Sequence, residues 1–182
     1  MPRFRKLAER EVFAGSLIRV GRASFEAPDG RRFERDVVHH PGAVVVVPLV
    51  DDDTALLVRQ YRAAVDAELL EIPAGTRDVD GEAPEATAVR ELAEEVGRVA
   101  GRVELLARFH NSPGFCDELS WLYLARDLHE TPHDRQGVEE EAMSVEAVSL
   151  AHVPDLVRTG AIVDGKTIIG LSLAIGHLRA GR

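Results

Sequence analysis

Residues 75–97 read GTRDVDGEAPEATAVRELAEEVG, and the second half of this stretch decides how the rest of the chain is arranged around it. From Pro84 to Val96 the apolar positions recur at helical spacing. Ala86, Val89, Ala93 and Val96 fall on one stripe, with Arg90, Glu91, Glu94 and Glu95 on the other side. Pro84 suits a first helical turn and Gly97 a C-terminal stop, while Ala83 is a poor N-cap. Glu91, Glu94 and Glu95 stand at i, i+3 and i+4, which puts their Cβ atoms about 5–6 Å apart on one face. Each such pair repels by about 0.7 kcal/mol in water and about 3 kcal/mol at an effective dielectric near 20. A solvated acidic face is the alternative reading, but a helix built only for solubility interleaves lysine and arginine, and Arg90 relieves only part of the repulsion. A hard divalent cation, Mg²⁺ or Mn²⁺, accounts for the cluster better, because carboxylate oxygens are the ligands such ions take.

Outward from this helix the chain reads mainly as strands. GAVVVVPLV (Gly42 to Val50) is apolar on both faces, as a strand covered on both sides is. Asp51-Asp52-Asp53 marks a turn, after which TALLVRQYR (Thr54 to Arg62) pairs back; Leu69 to Ile72 is a further run, ended by Pro73-Ala74-Gly75. In the first forty residues, Leu17 to Phe25 and Arg32 to Val38 flank a Pro28-Asp29-Gly30 hairpin signal. Three short strands are marginal alone, so this segment leans on the rest of the chain or on a second subunit. Val103 to Phe109, Leu119 to Ala125 and Ser144 to Leu150 are predicted strands, and Val153 to Arg158 and Lys166 to Arg179 predicted helices. The fold class expected is an α/β sandwich rather than a regular βαβ series. The break at His40-Pro41-Gly42 divides an N-terminal β segment, residues 1–40, from a main domain, residues 41–182.

Composition narrows the functions open to it. A chain of 182 residues with 45% hydrophobic and 29% charged residues suits one globular domain, with a small appendage at most. The net charge of −9, from 31 acidic against 22 basic residues, argues against nucleic acid or an anionic membrane surface as partner. The single cysteine, Cys116, excludes an intramolecular disulfide and a multi-cysteine zinc site, and fits a reducing cytoplasm. MPRFRKLAER has no apolar stretch behind its basic residues, so it is not read as a secretory signal.

Gly75, Glu82, Arg90-Glu91-Leu92, Glu94-Glu95 and Gly97 resemble the Nudix box, the loop–helix motif of Nudix hydrolases. Six residues separate Gly75 from Glu82, one more than is usual in that motif, and Arg98 stands where an apolar residue is usual. Glu71-Ile72-Pro73-Ala74-Gly75, Arg59-Gln60-Tyr61-Arg62 and Ser112-Pro113-Gly114-Phe115, with Pro113 sixteen residues past Gly97, are similar to the ADP-ribose pyrophosphatases within that family. The resemblance implies an α/β/α sandwich with a mixed sheet, preceded by a small antiparallel β segment through which two copies form a homodimer. It implies hydrolysis of ADP-ribose to AMP and ribose 5-phosphate with two or three Mg²⁺ ions, Mn²⁺ being an alternative. GDP-mannose or a similar nucleoside diphosphate sugar is the alternative substrate, and a non-catalytic ADP-ribose sensor the alternative role.

Carried over by residue, the resemblance makes Glu91 and Glu95 the principal metal ligands, completed by Glu94 and the carbonyl of Ala74. Arg62, with Arg59, serves the substrate phosphates, and Pro113 and Gly114 lie in a substrate loop. The general base comes from a later acidic loop: Glu139 first, then Glu140, with Glu141 beside them. Phe25 is a candidate stacking residue contributed by a partner subunit.

One motif is a decoy. Gly160 to Thr167, GAIVDGKT, matches a P-loop literally, but it follows a predicted helix end rather than a buried strand, so Asp164 and Thr167 are read as start signals of the last helix. The acid is not spread evenly either. Glu71 to Glu95 holds eight acidic and two basic residues, and Gly137 to Glu146 four acidic and none basic. The charge therefore sits in the helix expected to bind metal and the loop expected to supply the base.

Overall fold

The computed structural model describes residues 3–133, 135 and 138–181. They form two compact units, one running up to Gly42 together with Phe109–Ser120, the other made of Ala43–Arg108 and the residues from Trp121 onward.

In the first unit β1 (Arg5–Ala14), β2 (Arg19–Glu26) and β3 (Arg32–His39) form an antiparallel sheet in that order. The β2–β3 turn closes at Pro28-Asp29-Gly30, where Gly30 takes φ 85° and Asp29 accepts the Arg31 N–H at 3.1 Å. The segment 109–120 joins this unit through the backbone: Val38 donates to Phe115 O at 2.7 Å, and Asp117 donates to Val38 O at 3.0 Å. His39 adds a side-chain tie, with Nδ1 2.6 Å from Asp117 and Nε2 2.6 Å from Glu9 on β1. Those two carboxylates, Glu9 foremost, raise the His39 pKa above its ordinary value. The division therefore differs from a single cut near residue 40, because the loop carrying Ser112-Pro113-Gly114-Phe115 clusters with the N-terminal sheet.

From Ala43 onward the order is β4 (Ala43–Pro48), β5 (Thr54–Arg62), β6 (Ala67–Glu71), β7 (Ala74–Thr76), α1 (Pro84–Val96), β8 (Arg98–His110), β9 (Leu119–Glu130), α2 (Val138–Glu141), β10 (Ser144–Ser149), α3 (Val153–Arg158) and α4 (Gly165–Ala180). The sheets run β7-β4-β9-β8 and β10-β5-β6. All six residues of β4 are buried, as its doubly apolar sequence demands. Val44 and Val46 join α1 in one cluster, while Val47 faces α4, where a Cβ on Gly170 would meet Val47 and Ile72. Helices thus cover both faces of this strand, the α/β arrangement expected. Leu57, Leu92, Leu122, Leu124 and Leu171 are fully buried, each worth about 2 kcal/mol in transfer free energy. Among the described residues no helix is long and apolar enough to cross a membrane.

The GAIVDGKT segment is a helix cap. Asp164 accepts the Thr167 N–H at 2.8 Å, and the Thr167 hydroxyl accepts the Ile72 N–H at 3.0 Å while donating to Asp164 at 2.8 Å. The start of α4 is thereby tied to the strand end that leads into Pro73-Ala74-Gly75.

Candidate active site

The boundaries of α1 follow the sequence signals. Pro84 occupies the first turn, and Gly97 ends the helix in the left-handed conformation, φ 65°, with its N–H bonded to Ala93 and Leu92 carbonyls. Ala83 caps nothing with its side chain; instead Thr87 donates its hydroxyl to Glu82 at 2.8 Å. The core-facing stripe differs from the predicted one. Ala88, Leu92 and Val96 enter the cluster with Val44, Val46, Leu56, Val58 and Tyr123, whereas Ala86 is exposed and Val89 and Ala93 are half-buried. Leu92, the one large apolar side chain of the helix interior, sets the seam, and small alanines elsewhere do not compete with it. Rotating the helix to seat Leu92 carries Glu91 and Glu95 inward too, to 6% and 3% exposure.

These two carboxylates line a cavity of about 530 Å³ together with Arg62, Ala74, Gly75, Glu94, Glu139 and Glu140. Seven of the sequence-predicted site residues therefore meet in one place. Glu95 Oε2 accepts the Ala74 N–H at 3.1 Å, tying the helix to β7. Arg90 Nη1 reaches Glu91 at 2.8 Å and Glu94 at 2.9 Å, while its Nη2 lies 3.4 Å from Glu82. Arg62 grips Glu71 with both prongs, Nε to Oε1 at 2.9 Å and Nη2 to Oε2 at 2.8 Å. Of Glu139 and Glu140, the base candidates that line the cavity, Glu140 is the one whose charge is felt at Glu91 and Glu95; that of Glu139 reaches Tyr61.

Burial raises the Glu91 pKa to about 7, with Arg90 opposing and Glu94 and Glu140 adding to the rise. Burial raises Glu95 to about 8, helped by Glu91 and opposed by the Ala74 N–H. The donor set fits a hard divalent cation: carboxylate oxygens, desolvated and crowded beyond what Arg90 balances. Among the described residues no three such side chains yet converge on one point, since Glu91 and Glu94 turn toward Arg90 and Glu95 toward the Ala74 N–H.

A pH dependence follows. A carboxyl group near pKa 4.3 in the unfolded chain but about 7 or 8 in the fold stabilises most below pH 4. That contribution is lost as pH rises through those folded values. In EDTA the melting temperature is expected to fall by at least about 4 °C between pH 6 and pH 9, and Mg²⁺ to flatten that fall. A thermal melt series in both buffers checks this; a flat or rising EDTA curve contradicts it.

The remaining predicted residues lie elsewhere. Arg59, on the other face of β5, donates Nε to Glu146 at 2.6 Å and does not line the cavity. Pro113, Gly114 and Phe25 belong to the first unit, where they line a separate cavity of about 360 Å³. There the Phe25 ring stacks on Phe33 at 5.4 Å. Sequence reasoning assigned no role to Gln60 or Glu71. Gln60 lines the carboxylate cavity at 6% exposure, its amide nitrogen buried without a hydrogen-bond partner among the described residues. The period of two along Val58, Gln60 and Arg62 was the signal that could have placed it.

Comparison with known proteins agrees with this geometry. The NUDIX domain family model matches residues 39–168, which span β4 to the first turn of α4 and include every residue of the carboxylate cavity. The ADP-ribose pyrophosphatase of Bacillus subtilis is 36% identical over 161 residues, 88% of this chain and 86% of that protein. The methanol dehydrogenase activator of Bacillus methanolicus is 34% identical over 161 residues, again 88% and 86%. The ADP-ribose pyrophosphatase of Mycobacterium tuberculosis is 35% identical over 178 residues, 98% of this chain and 86% of that one. A crystal structure of an ADP compounds hydrolase superposes with a TM-score of 0.86 at 26% identity, covering 98% of this chain and 96% of the other. With the carboxylate helix, its loop and its cavity inside the matched region, the chain belongs to the Nudix family and is a Nudix hydrolase.

Proposed function

We propose that this Nudix hydrolase cleaves the diphosphate of ADP-ribose, giving AMP and ribose 5-phosphate. The observation that carries the reading is the complete carboxylate set, Glu91, Glu94 and Glu95 with Glu139 and Glu140, around one cavity that also holds Arg62. The names of the B. subtilis and M. tuberculosis relatives support the substrate. Nudix hydrolases generally need a divalent metal. Here Glu91, Glu94, Glu95 and the Ala74 carbonyl would hold it, as two or three Mg²⁺ ions or Mn²⁺ in their place. When bound, such ions neutralise diphosphate charge and acidify a water.

The chain's own residues do the rest. Arg62 contacts the phosphates, and a glutamate of α2 accepts the proton of the attacking water; Glu140 is better placed than Glu139 because its charge bears on Glu91 and Glu95. The new bond joins water oxygen to one phosphorus, and the P–O bond to the bridging oxygen breaks in line, its electron pair leaving with the second phosphate.

Release of the nucleoside monophosphate (AMP from ADP-ribose, GMP from GDP-mannose) from a panel of nucleoside diphosphate sugars, in Mg²⁺ and in EDTA, tests the assignment. ADP-ribose is expected to give the highest kcat/KM, and EDTA to abolish turnover. Preference for GDP-mannose would move the substrate but keep the chemistry, and saturable binding with no turnover of any compound would identify a sensor instead.

The first unit supplies the dimer in this reading. Every residue of β1 is exposed, Val12 and Phe13 prominently so with Phe4 just before the strand, and such a strand is the kind of surface a second copy covers. Sedimentation at twice the 19.9 kDa chain mass is the expected result, and a monomer at micromolar concentration the contrary one. The lone cysteine supports a reducing, cytoplasmic setting.

A further inference from the structure

Among the described residues Glu71 is the most deeply buried carboxylate, at 1% exposure, yet it is not part of the cavity wall. A buried carboxylate is costly unless paired and hydrogen-bonded, and Glu71 has both conditions met by one residue, Arg62. Two arginines line the cavity. Arg90 is engaged by Glu82, Glu91 and Glu94 at once. Arg62 is engaged by Glu71 through Nε and Nη2, which leaves Nη1 as the nitrogen Glu71 does not hold. Both ends of this arrangement are anchored. Arg62 and Glu71 belong to one antiparallel hairpin, with Arg62 opposite Ala67 and Val58 opposite Glu71, and the next residue, Ile72, is bonded to buried Thr167.

We propose that Glu71 is a positioning residue that, by taking Nε and Nη2 of Arg62, presents the Nη1 edge of the guanidinium to the substrate diphosphate. This rests on the reading of Arg62 as the phosphate contact. A flexible arginine loses side-chain entropy each time it meets a phosphate; one clamped from behind has lost it on folding. The clamp also keeps Arg62 from turning toward Glu95, whose charge it already feels. The acid beneath the site thus acts through geometry, and its removal is expected to behave as a weakened form of Arg62 removal.

The test is a double-mutant cycle of wild type, Glu71→Gln, Arg62→Ala and the double variant, with kcat and KM for ADP-ribose read in Mg²⁺. Each single change is expected to lower kcat/KM by about 10- to 100-fold, through the same kinetic parameter. The double variant should fall no lower than Arg62→Ala. Guanidinium added to the assay should partly restore Arg62→Ala, where Glu71 can still seat it, and leave the double variant unchanged. Each variant is compared with its own baseline, so a lowered melting temperature in Arg62→Ala does not spoil the rescue. Additive losses, equal rescue of both variants, or wild-type kinetics in Glu71→Gln beside an impaired Arg62→Ala would overturn the positioning role alone. Wild-type kinetics in Arg62→Ala would remove the phosphate-contact reading and this inference with it.

Discussion

Glu95→Gln is expected to lower kcat by about 100- to 1,000-fold and, in the same protein, to raise the melting temperature measured in EDTA. The two effects have one cause. Glu95 is 3% exposed, its pKa is pushed up to about 8 by burial, and Glu91 and Glu140 add to the rise. It also sits in the last turn of α1, where the helix dipole disfavours an anion and no basic residue compensates. At pH 8 and above, ionising it in the metal-free fold costs on the order of a few kcal/mol. Glutamine keeps the shape and can still accept the Ala74 N–H, so the variant sheds the charge without opening a hole. A gain of about 5 °C follows from a relief of about 2 kcal/mol in a chain of this size. The activity loss follows because the amide oxygen is a far poorer ligand for a hard cation than a carboxylate. Melting curves in EDTA and initial rates in Mg²⁺ measure both. A wild-type rate would remove Glu95 from the site, and a lower melting temperature beside the lower rate would make its role structural.

Such a helix is legible in the sequence up to a definite point. Pro84 and Gly97 mark its ends because backbone chemistry at those positions is local, and the glutamate spacing survives any rotation of the helix. Which face turns inward is not local. It depends on Leu92 finding Val44, Val46 and Tyr123, residues brought there by strands far along the chain. The stripe of Ala86, Val89, Ala93 and Val96 sets Glu91 and Glu95 opposite the core; here they are buried and line an open cavity, a third environment that hydrophobic periodicity does not encode.

The strands divide in the same way. GAVVVVPLV announces β4 because a doubly covered strand needs apolar residues at every position. β1, RKLAEREVFA, carries no such mark: all ten residues are exposed, so neither face is selected for apolar side chains. Arg62 and Glu71 stand nine residues apart, and whether they meet depends on the hairpin register, set by a turn in which Asp66 adopts φ 51°. The family resemblance supplied Arg62; the partner that holds it came only from three dimensions. Asp164 and Thr167 mark a helix start because that capping bond is local, whereas the second hydrogen bond of Thr167, to Ile72, joins residues far apart along the chain.

Gly75→Ala is expected to abolish most activity, about 100-fold or more, while changing stability little. Gly75 pairs with Val44 in β7 at a φ that alanine adopts freely, so the backbone itself raises no objection. The obstacle is Glu91: a Cβ on residue 75 would overlap its Cγ, Cδ and Oε1. Those atoms are the outer part of a flexible side chain, and the cavity beside them offers room, so the fold can accept the methyl group by swinging Glu91 aside. That displacement takes away the carboxylate orientation on which the proposed metal binding rests, which is why the loss is expected to fall on catalysis. Gly81→Ala gives the opposite pattern. Its φ of 77° strains alanine, but nothing lies within reach of the added Cβ, so about 1 kcal/mol of stability goes and the rate stays. The steric account has an internal check. Once Glu91→Ala has cleared the space, adding Gly75→Ala should cost nothing more in kcat/KM, and a further drop in the double variant would mean that Gly75 acts on the site by some route other than Glu91.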